Sequence, residues 1–221
     1  MSIWLSLALL FAVLEAIAVS KNIRQLEYIA KPAVMICLFL WLYASTGLQG
    51  QAFWFGLGIL LSLIGDVLLM FSLDRLFLFG LVAFLFTHIF YLAGLREELI
   101  DITAWPLILV ILIAFNAGYF LWRIAGAMRG KGQNKLIIPV ILYGIVISVM
   151  LCAALATIDN PAWKASAALL TATGAFLFVT SDAILAWNKF VTPLKNGRTW
   201  NIALYHLGQI GLIAGVISQY G

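Results

Sequence analysis

The sequence predicts an all-α protein, a polytopic membrane bundle of about eight transmembrane helices. Of its 221 residues, 64% are hydrophobic and only 10% are charged, whereas soluble domains carry about 25% charged residues. Apolar runs of the ~20 residues that cross a bilayer follow one another along the chain. Basic residues are concentrated in alternate connectors, as expected for a membrane topology.

Apolar runs bounded by charged and turn residues define the first four spans, 3–20, 32–48, 52–73 and 76–95. The first is interrupted by Glu15 and follows no cationic segment, so we interpret it as a retained helix rather than a signal peptide. Lys31 and Pro32 should open the second, because proline is tolerated in the first turn of a helix.

Polar or charged connectors separate the remaining spans, 103–122, 136–157, 163–188 and 200–218. None of the connectors is long enough for an independent fold. We therefore expect one transmembrane helical domain over residues 1–221.

Lysine and arginine predict the orientation of the bundle. The odd-numbered connectors carry eleven basic residues and the even-numbered ones two, Arg96 and Lys164. Basic connectors remain in the cytoplasm, so both termini should lie on the non-cytoplasmic side, in a bacterial inner membrane. We interpret the formal charge of +4 as a result of topology and expect no nucleic-acid partner.

Three acidic residues fall well inside apolar spans: Glu15, Asp66 and Asp182. At about 1.5 Å per residue, each lies roughly 9–11 Å from the cytoplasmic end of its helix. Charged side chains in a membrane are costly and usually face a cavity or a partner. Five other polar residues are expected in the same layer: Asn116, Tyr143, Asn201, Tyr205 and His206. His88 and Tyr91 are expected deeper, near or beyond the middle of the membrane.

No lysine or arginine lies in the middle of a predicted span, so the acids should lack basic counter-ions. Two carboxyls in different environments can act as a general acid and a general base. Glu15 is open to two interpretations, a catalytic group or a structural hydrogen-bonding group. The chain has only two histidines, at different predicted depths, so a three-histidine zinc site is not expected.

Two of the acids favour an internal repeat, since Gly65-Asp66 and Ser181-Asp182 occupy similar positions in spans three and seven, and a histidine follows in the next span each time. This pattern is compatible with a parallel repeat of two four-helix halves.

Several elements, in order along the chain, resemble the lysoplasmalogenase-like (YhhN) family of membrane proteins. They are Lys31-Pro32, Gly65-Asp66-Val67-Leu68-Leu69-Met70, Gly80 with Phe84, His88 and Tyr91, Pro139 with Tyr143, Ser181-Asp182 with Leu185-Ala186 and Phe190, and Tyr205 with Gln209. The resemblance implies hydrolysis of the vinyl ether bond of lysoplasmalogens, with Asp66 and Asp182 as the catalytic pair and no metal or other cofactor.

On this interpretation the partners are a lysophospholipid substrate and the surrounding membrane lipids. The substrate tail would slide between helices while its head stays at the cytoplasmic interface, where Lys31 and other cations of the inner face would meet the phosphate. The remaining candidates for substrate binding or support are Glu15, His88, Tyr91, Asn116, Tyr143, Ser181, Tyr205, His206 and Gln209.

Two other functions are compatible with buried carboxyls. One is a proton-coupled transporter of a small molecule or lipid, although few glycine- or proline-broken helices occur at matching positions in the two halves. The other is a non-catalytic lipid-binding or assembly protein in which the polar layer is structural.

Overall fold

The computed structural model describes residues 2–95 and 104–221 and contains eight long α-helices in these ranges, with no β-strand. They are α1 (Ile3–Lys21), α2 (Arg24–Thr46), α3 (Ala52–Phe71), α4 (Phe77–Leu95), α5 (Ala104–Gly130), α6 (Ile137–Ala156), α7 (Ala165–Phe190) and α8 (Gly197–Tyr220). Each contains a segment long and apolar enough to cross a membrane. The all-α multi-pass prediction is confirmed. The predicted connector 96–102, with Arg96, lies outside the described residues.

The predicted start of the second span is wrong. Helix α2 begins at Arg24, so Lys31 and Pro32 lie inside the helix rather than at its first turn. Arg24, Glu27 and Lys31 recur at intervals of three and four residues, which places them on one helix face. Glu27 and Lys31 are buried. These charged residues precede the apolar run, but they are already part of the helix.

The end of the fifth span also differs from the prediction. Helix α5 continues to Gly130, through residues that the sequence assigned to a connector beginning at 123. Arg123 and Arg129 lie on this extension. Arg129 lies in the last turn, where a basic residue interacts favourably with the helix dipole.

The helices differ in how closely they pack. Helices α7 and α8 form the tightest pair, α3 pairs with α4 and α1 with α2. Helix α8 also contacts α1, α2 and α3, and α6 lies between α4, α5 and α7. Helix α5 packs mainly on α6 and is the least buried of the eight. The parallel repeat stays a prediction.

Glycines allow the close approach of α7 and α8. A Cβ atom on Gly174 would lie 2.3 Å from the backbone nitrogen of Leu212, and one on Gly208 would lie 2.8 Å from that of Phe178. Backbone atoms cannot move aside without separating the two helices. Small residues of this kind are typical of helix interfaces in membranes.

We therefore expect Gly174→Ala to destabilise the protein by about 1–3 kcal/mol, the usual cost of overpacking a core. Thermal unfolding of the purified protein in detergent would measure the loss. Gly118→Ala on α5 is the matched control, since nothing lies within 4 Å of a Cβ atom there. Equal melting temperatures for the two variants would contradict the proposed close contact.

Candidate active site

The first aspartate, Asp66 of α3, is held in a buried charged pair. Its side chain is 2% exposed, and its Oδ1 atom lies 3.1 Å from Nζ of Lys31. Tyr205 of α8 donates a hydrogen bond of 2.6 Å to Oδ2. The expectation that the buried acids lack a basic counter-ion is wrong for Asp66, because α2 extends through Lys31 and carries its ammonium group into the bundle.

The second aspartate, Asp182 of α7, has different partners. Tyr143 of α6 donates a hydrogen bond to its Oδ2 atom. Nε2 of His88, on α4, lies 2.9 Å from the Tyr143 hydroxyl oxygen and 3.9 Å from Asp182 Oδ2. No lysine or arginine within residues 2–95 and 104–221 forms an ion pair with Asp182. His88 and Tyr143, predicted at different depths, thus meet at one carboxyl.

One cavity of about 990 Å³ is lined by both aspartates. Lys31, Tyr205 and Ser181 contribute to the same walls. The cavity reaches the end of the bundle that carries the α1–α2 and α7–α8 connectors, which we call the basic end. Two carboxyls with different partners therefore line one cavity, and carboxyls in different environments can differ in their readiness to give up a proton.

The mouth of this cavity contains polar residues that the sequence did not single out. Arg24, Asn188, Lys189 and Arg198 line it near the basic end. Arg198 forms a hydrogen-bonded ion pair with the buried Glu27. For Arg24 and Glu27, the spacing of charges along α2 is a sequence signal that indicates a shared helix face. The boundaries of the apolar runs place both residues in a connector instead.

The third buried acid, Glu15, pairs with His206 and not with the aspartates. Both side chains are buried, and His206 Nε2 hydrogen-bonds to Glu15 Oε2, which joins α1 to α8. The His206 ring packs against Tyr205, with ring centroids 5.1 Å apart. Neither residue lines the cavity. This geometry favours the structural interpretation of Glu15 over the catalytic one.

Two further candidates lie in a separate buried network. Tyr91 donates a 2.7 Å hydrogen bond to Gln209 Oε1, and Gln209 Nε2 donates one of 2.9 Å to Ser62. Tyr91 and Gln209 line neither this cavity nor the second cavity described below. The network joins α3, α4 and α8 by hydrogen bonds, which is the geometry of a structural contact between helices.

The remaining candidates lie at the edges of the site. Ser181 donates to the backbone oxygen of Asn201 over 2.9 Å, and the Asn201 side chain bonds back to Ser181. Asn116 of α5 donates to the Leu112 carbonyl within its own helix and is exposed. It lines a second, more apolar cavity that also contains Tyr143 and Asp182. Within the described residues, no three His, Cys, Asp or Glu side chains converge as metal ligands.

Comparisons with known proteins give one consistent result. The YhhN family profile matches residues 26–216. The lysoplasmalogenase TMEM86B of mouse is 28% identical, over 86% of this chain and 74% of the mouse protein. The pig protein of the same name is 31% identical, over 73% of this chain and 62% of its own length. The human protein is 26% identical, over 81% and 69%. No solved structure matches the chain.

The family match covers most of the chain and includes both aspartates, Lys31 and Tyr143. The resemblance noted from the sequence is therefore confirmed, and this chain belongs to the YhhN family of multi-pass membrane proteins.

Proposed function

We propose that this protein hydrolyses the vinyl ether bond of lysoplasmalogen-type lysophospholipids, releasing a fatty aldehyde and a glycerophospho-head group. The observation that carries the proposal is that Asp66 and Asp182 line one cavity with different partners. Relatives named lysoplasmalogenase, at 26–31% identity, support the same reaction.

Vinyl ether hydrolysis needs a proton donor and a site for water. Protonation of the outer alkene carbon produces an oxocarbenium ion, which water then captures. A positioned general acid typically contributes about 10²–10⁴-fold to such a step, and a nearby carboxylate stabilises the developing positive charge.

We assign the acid to Asp182 and the carboxylate to Asp66. Asp182 borders both the polar cavity and the apolar one, so it can reach a carbon atom of the lipid chain. Asp66 lies on the polar side only, where water enters. The Lys31 ammonium group beside it favours a charged carboxylate.

The reaction balances with these two groups. Asp182 gives its proton to the outer alkene carbon, and the cation is shared by the neighbouring carbon and the ether oxygen. Water bonds to that carbon while Asp66 takes its proton, giving a hemiacetal. The bond to the glycerol oxygen then breaks as Asp66 protonates that oxygen and the hemiacetal hydroxyl returns a proton to Asp182. Aldehyde and head group leave, and both carboxyls regain their starting states.

The basic end supplies a site for the head group. Arg24, Lys189 and Arg198 lie in the cavity wall there, and cationic side chains form strong charge-assisted hydrogen bonds with phosphate. Arg24 and Arg198 each carry a planar guanidinium that can bind two phosphate oxygens at once, and the ion pair with Glu27 positions Arg198.

Hydrolysis in deuterated water tests the proposal. We expect the aldehyde to carry one deuterium on the carbon next to its carbonyl, because that hydrogen comes from the general acid. A saturated alkyl ether of the same length should not be cleaved, since it cannot form the cation. Mass spectrometry of the two reaction mixtures, with the vinyl ether and with the saturated ether, makes the measurement.

The control is unlabelled aldehyde incubated with the protein in deuterated water, which measures exchange after release. Aldehyde without deuterium beyond that control, or equal cleavage of the saturated ether or of an ester analogue, would show a different reaction.

A further inference from the structure

The second cavity is a chamber of about 580 Å³ between α5 and the rest of the bundle. Its walls come mainly from apolar residues of α5, α6 and α7, among them Ile113, Phe120, Ile147 and Val179. Ser148 and Asn116 also face it, but each gives its hydrogen bond to a carbonyl of its own helix. These walls suit a hydrocarbon and not a polar ligand.

The chamber meets the polar cavity at Asp182. Leu69, Phe84, Asp182 and Leu185 line both spaces. A lysoplasmalogen has the same division, since its vinyl ether bond joins the polar glycerophosphate to the hydrocarbon chain. With its head at the basic end, the lipid would place that bond at the junction, beside the proposed acid.

We propose that this chamber binds the hydrocarbon chain of a single-chain ether phospholipid and sets the chain-length preference of the enzyme. The proposal rests on the function proposed above. The occupant is argued from the continuity of the two cavities and from the cationic mouth of the polar one, which fixes the direction in which the chain must point.

The chain then runs away from the basic end, along α6 from Tyr143 towards Leu151. At about 1.5 Å per residue, Ser148 lies roughly 7–8 Å beyond Tyr143 on this path. Further out, Leu112 and Phe176 line the chamber and are 53% and 57% exposed. Exposed apolar side chains face lipid in a membrane, so the chamber opens sideways there and gives a tail a route in from the bilayer.

A bulky residue placed partway along this path should shorten the chamber. We expect Ser148→Phe to lower kcat/KM for a long-chain lysoplasmalogen at least tenfold relative to a short-chain one with the same head group. A second variant on another helix, Val179→Phe, should lower the ratio of long-chain to short-chain kcat/KM in the same way. It replaces Ser148→Phe if Ser148→Phe fails to fold. Val149→Phe is the matched control, because Val149 is exposed and lines neither cavity.

If both chamber variants keep the wild-type ratio of long-chain to short-chain kcat/KM, the proposed role of the chamber is wrong, while the proposed hydrolase function is unaffected. An equal shift in the Val149→Phe control would show a general effect on α6, which also overturns it. If the wild-type protein releases no aldehyde, the proposed function fails, and a binding experiment decides the chamber separately.

That experiment uses a saturated alkyl lysophospholipid with a photoreactive group at the end of its chain. Labelling of α5, α6 or α7 residues that line the chamber, reduced in Ser148→Phe and competed by unlabelled alkyl lysophospholipid, would support it. Labelling spread over the lipid-facing surface, without competition, would show occupation by bulk membrane lipid only and would overturn the proposal.

Discussion

We expect Asp182→Asn to lower kcat for vinyl ether hydrolysis by about 10²–10⁴-fold, the range associated with loss of a general acid. Asparagine has nearly the same shape as aspartic acid, and its side-chain oxygen can still accept the hydrogen bond that Tyr143 donates. It cannot deliver a proton to the alkene carbon. The measurement is aldehyde release per molecule of folded enzyme in detergent micelles or liposomes.

Binding should separate from chemistry in this variant. Asp182→Asn should bind a saturated alkyl lysophospholipid with nearly the wild-type Kd, because the chain and head group keep their contacts. Asp159→Asn is the control for removing an acid, since Asp159 is exposed and lines neither cavity. A variant at Asp182 that keeps more than a tenth of the wild-type kcat would rule out this residue as the acid.

The membrane fold was accessible from sequence because the bilayer imposes a simple rule. Each crossing needs about 20 apolar residues, and eight such runs are visible in the chain. The helix ends were less accessible, since hydropathy reports where the membrane stops and not where the backbone stops being helical. Helix α2 begins at Arg24 and α5 continues to Gly130, and both extensions are charged segments that the apolar criterion could not detect.

The two aspartates were accessible for a related reason, because a carboxyl inside an apolar span is costly without a purpose. Their partners were not. The meeting of His88, Tyr143 and Asp182 joins α4, α6 and α7, and depth estimated by counting residues assumes helices that are neither shifted nor tilted. Side-chain reach and helix packing decide such contacts, and a single sequence does not encode them in any local pattern.

The same limitation explains Lys31. The apolar run that begins at residue 32 predicts Lys31 at the start of a helix, at the membrane interface, although the spacing of Arg24, Glu27 and Lys31 places all three on one helix face. A charged face on a membrane helix needs a polar surface to meet, and here that surface is the cavity with Asp66 and Arg198 in its walls. For the start of α2, the periodicity of the charged residues is therefore more informative than the boundary of the apolar run.

The pair formed by Lys31 and Asp66 leads to the second large prediction, on stability. Removing one member of a buried ion pair leaves an uncompensated charge and typically costs about 3–5 kcal/mol. Lys31→Met and Asp66→Asn should each lower the melting temperature strongly, since both side chains are almost fully buried. The double variant Lys31→Met/Asp66→Asn should recover most of that loss, because no unpaired charge remains.

Activity should not recover with stability. The double variant lacks the carboxylate proposed to accept a proton from water, so its aldehyde release should stay as low as that of Asp66→Asn alone. Thermal unfolding and activity measured on the same four proteins complete the double-mutant cycle. Wild-type stability for Lys31→Met would show that the pair is not charged, and an active double variant would remove Asp66 from the mechanism.

A second ion pair in the same protein provides the control. Lys189 and Asp74 are 2.9 Å apart, and the Lys189 side chain is 9% exposed whereas the Asp74 side chain is 93% exposed. A carboxylate in contact with water gains little from an ion pair, because water already solvates it, and without this carboxylate Lys189 keeps its 3.0 Å hydrogen bond to the Leu73 carbonyl oxygen. Asp74→Asn should therefore leave the melting temperature nearly unchanged. A large effect at Asp74 and a small one at Lys31 would mean that burial of the carboxylate does not determine how much each ion pair stabilises the protein, and the argument that Lys31 keeps Asp66 charged would lose its basis.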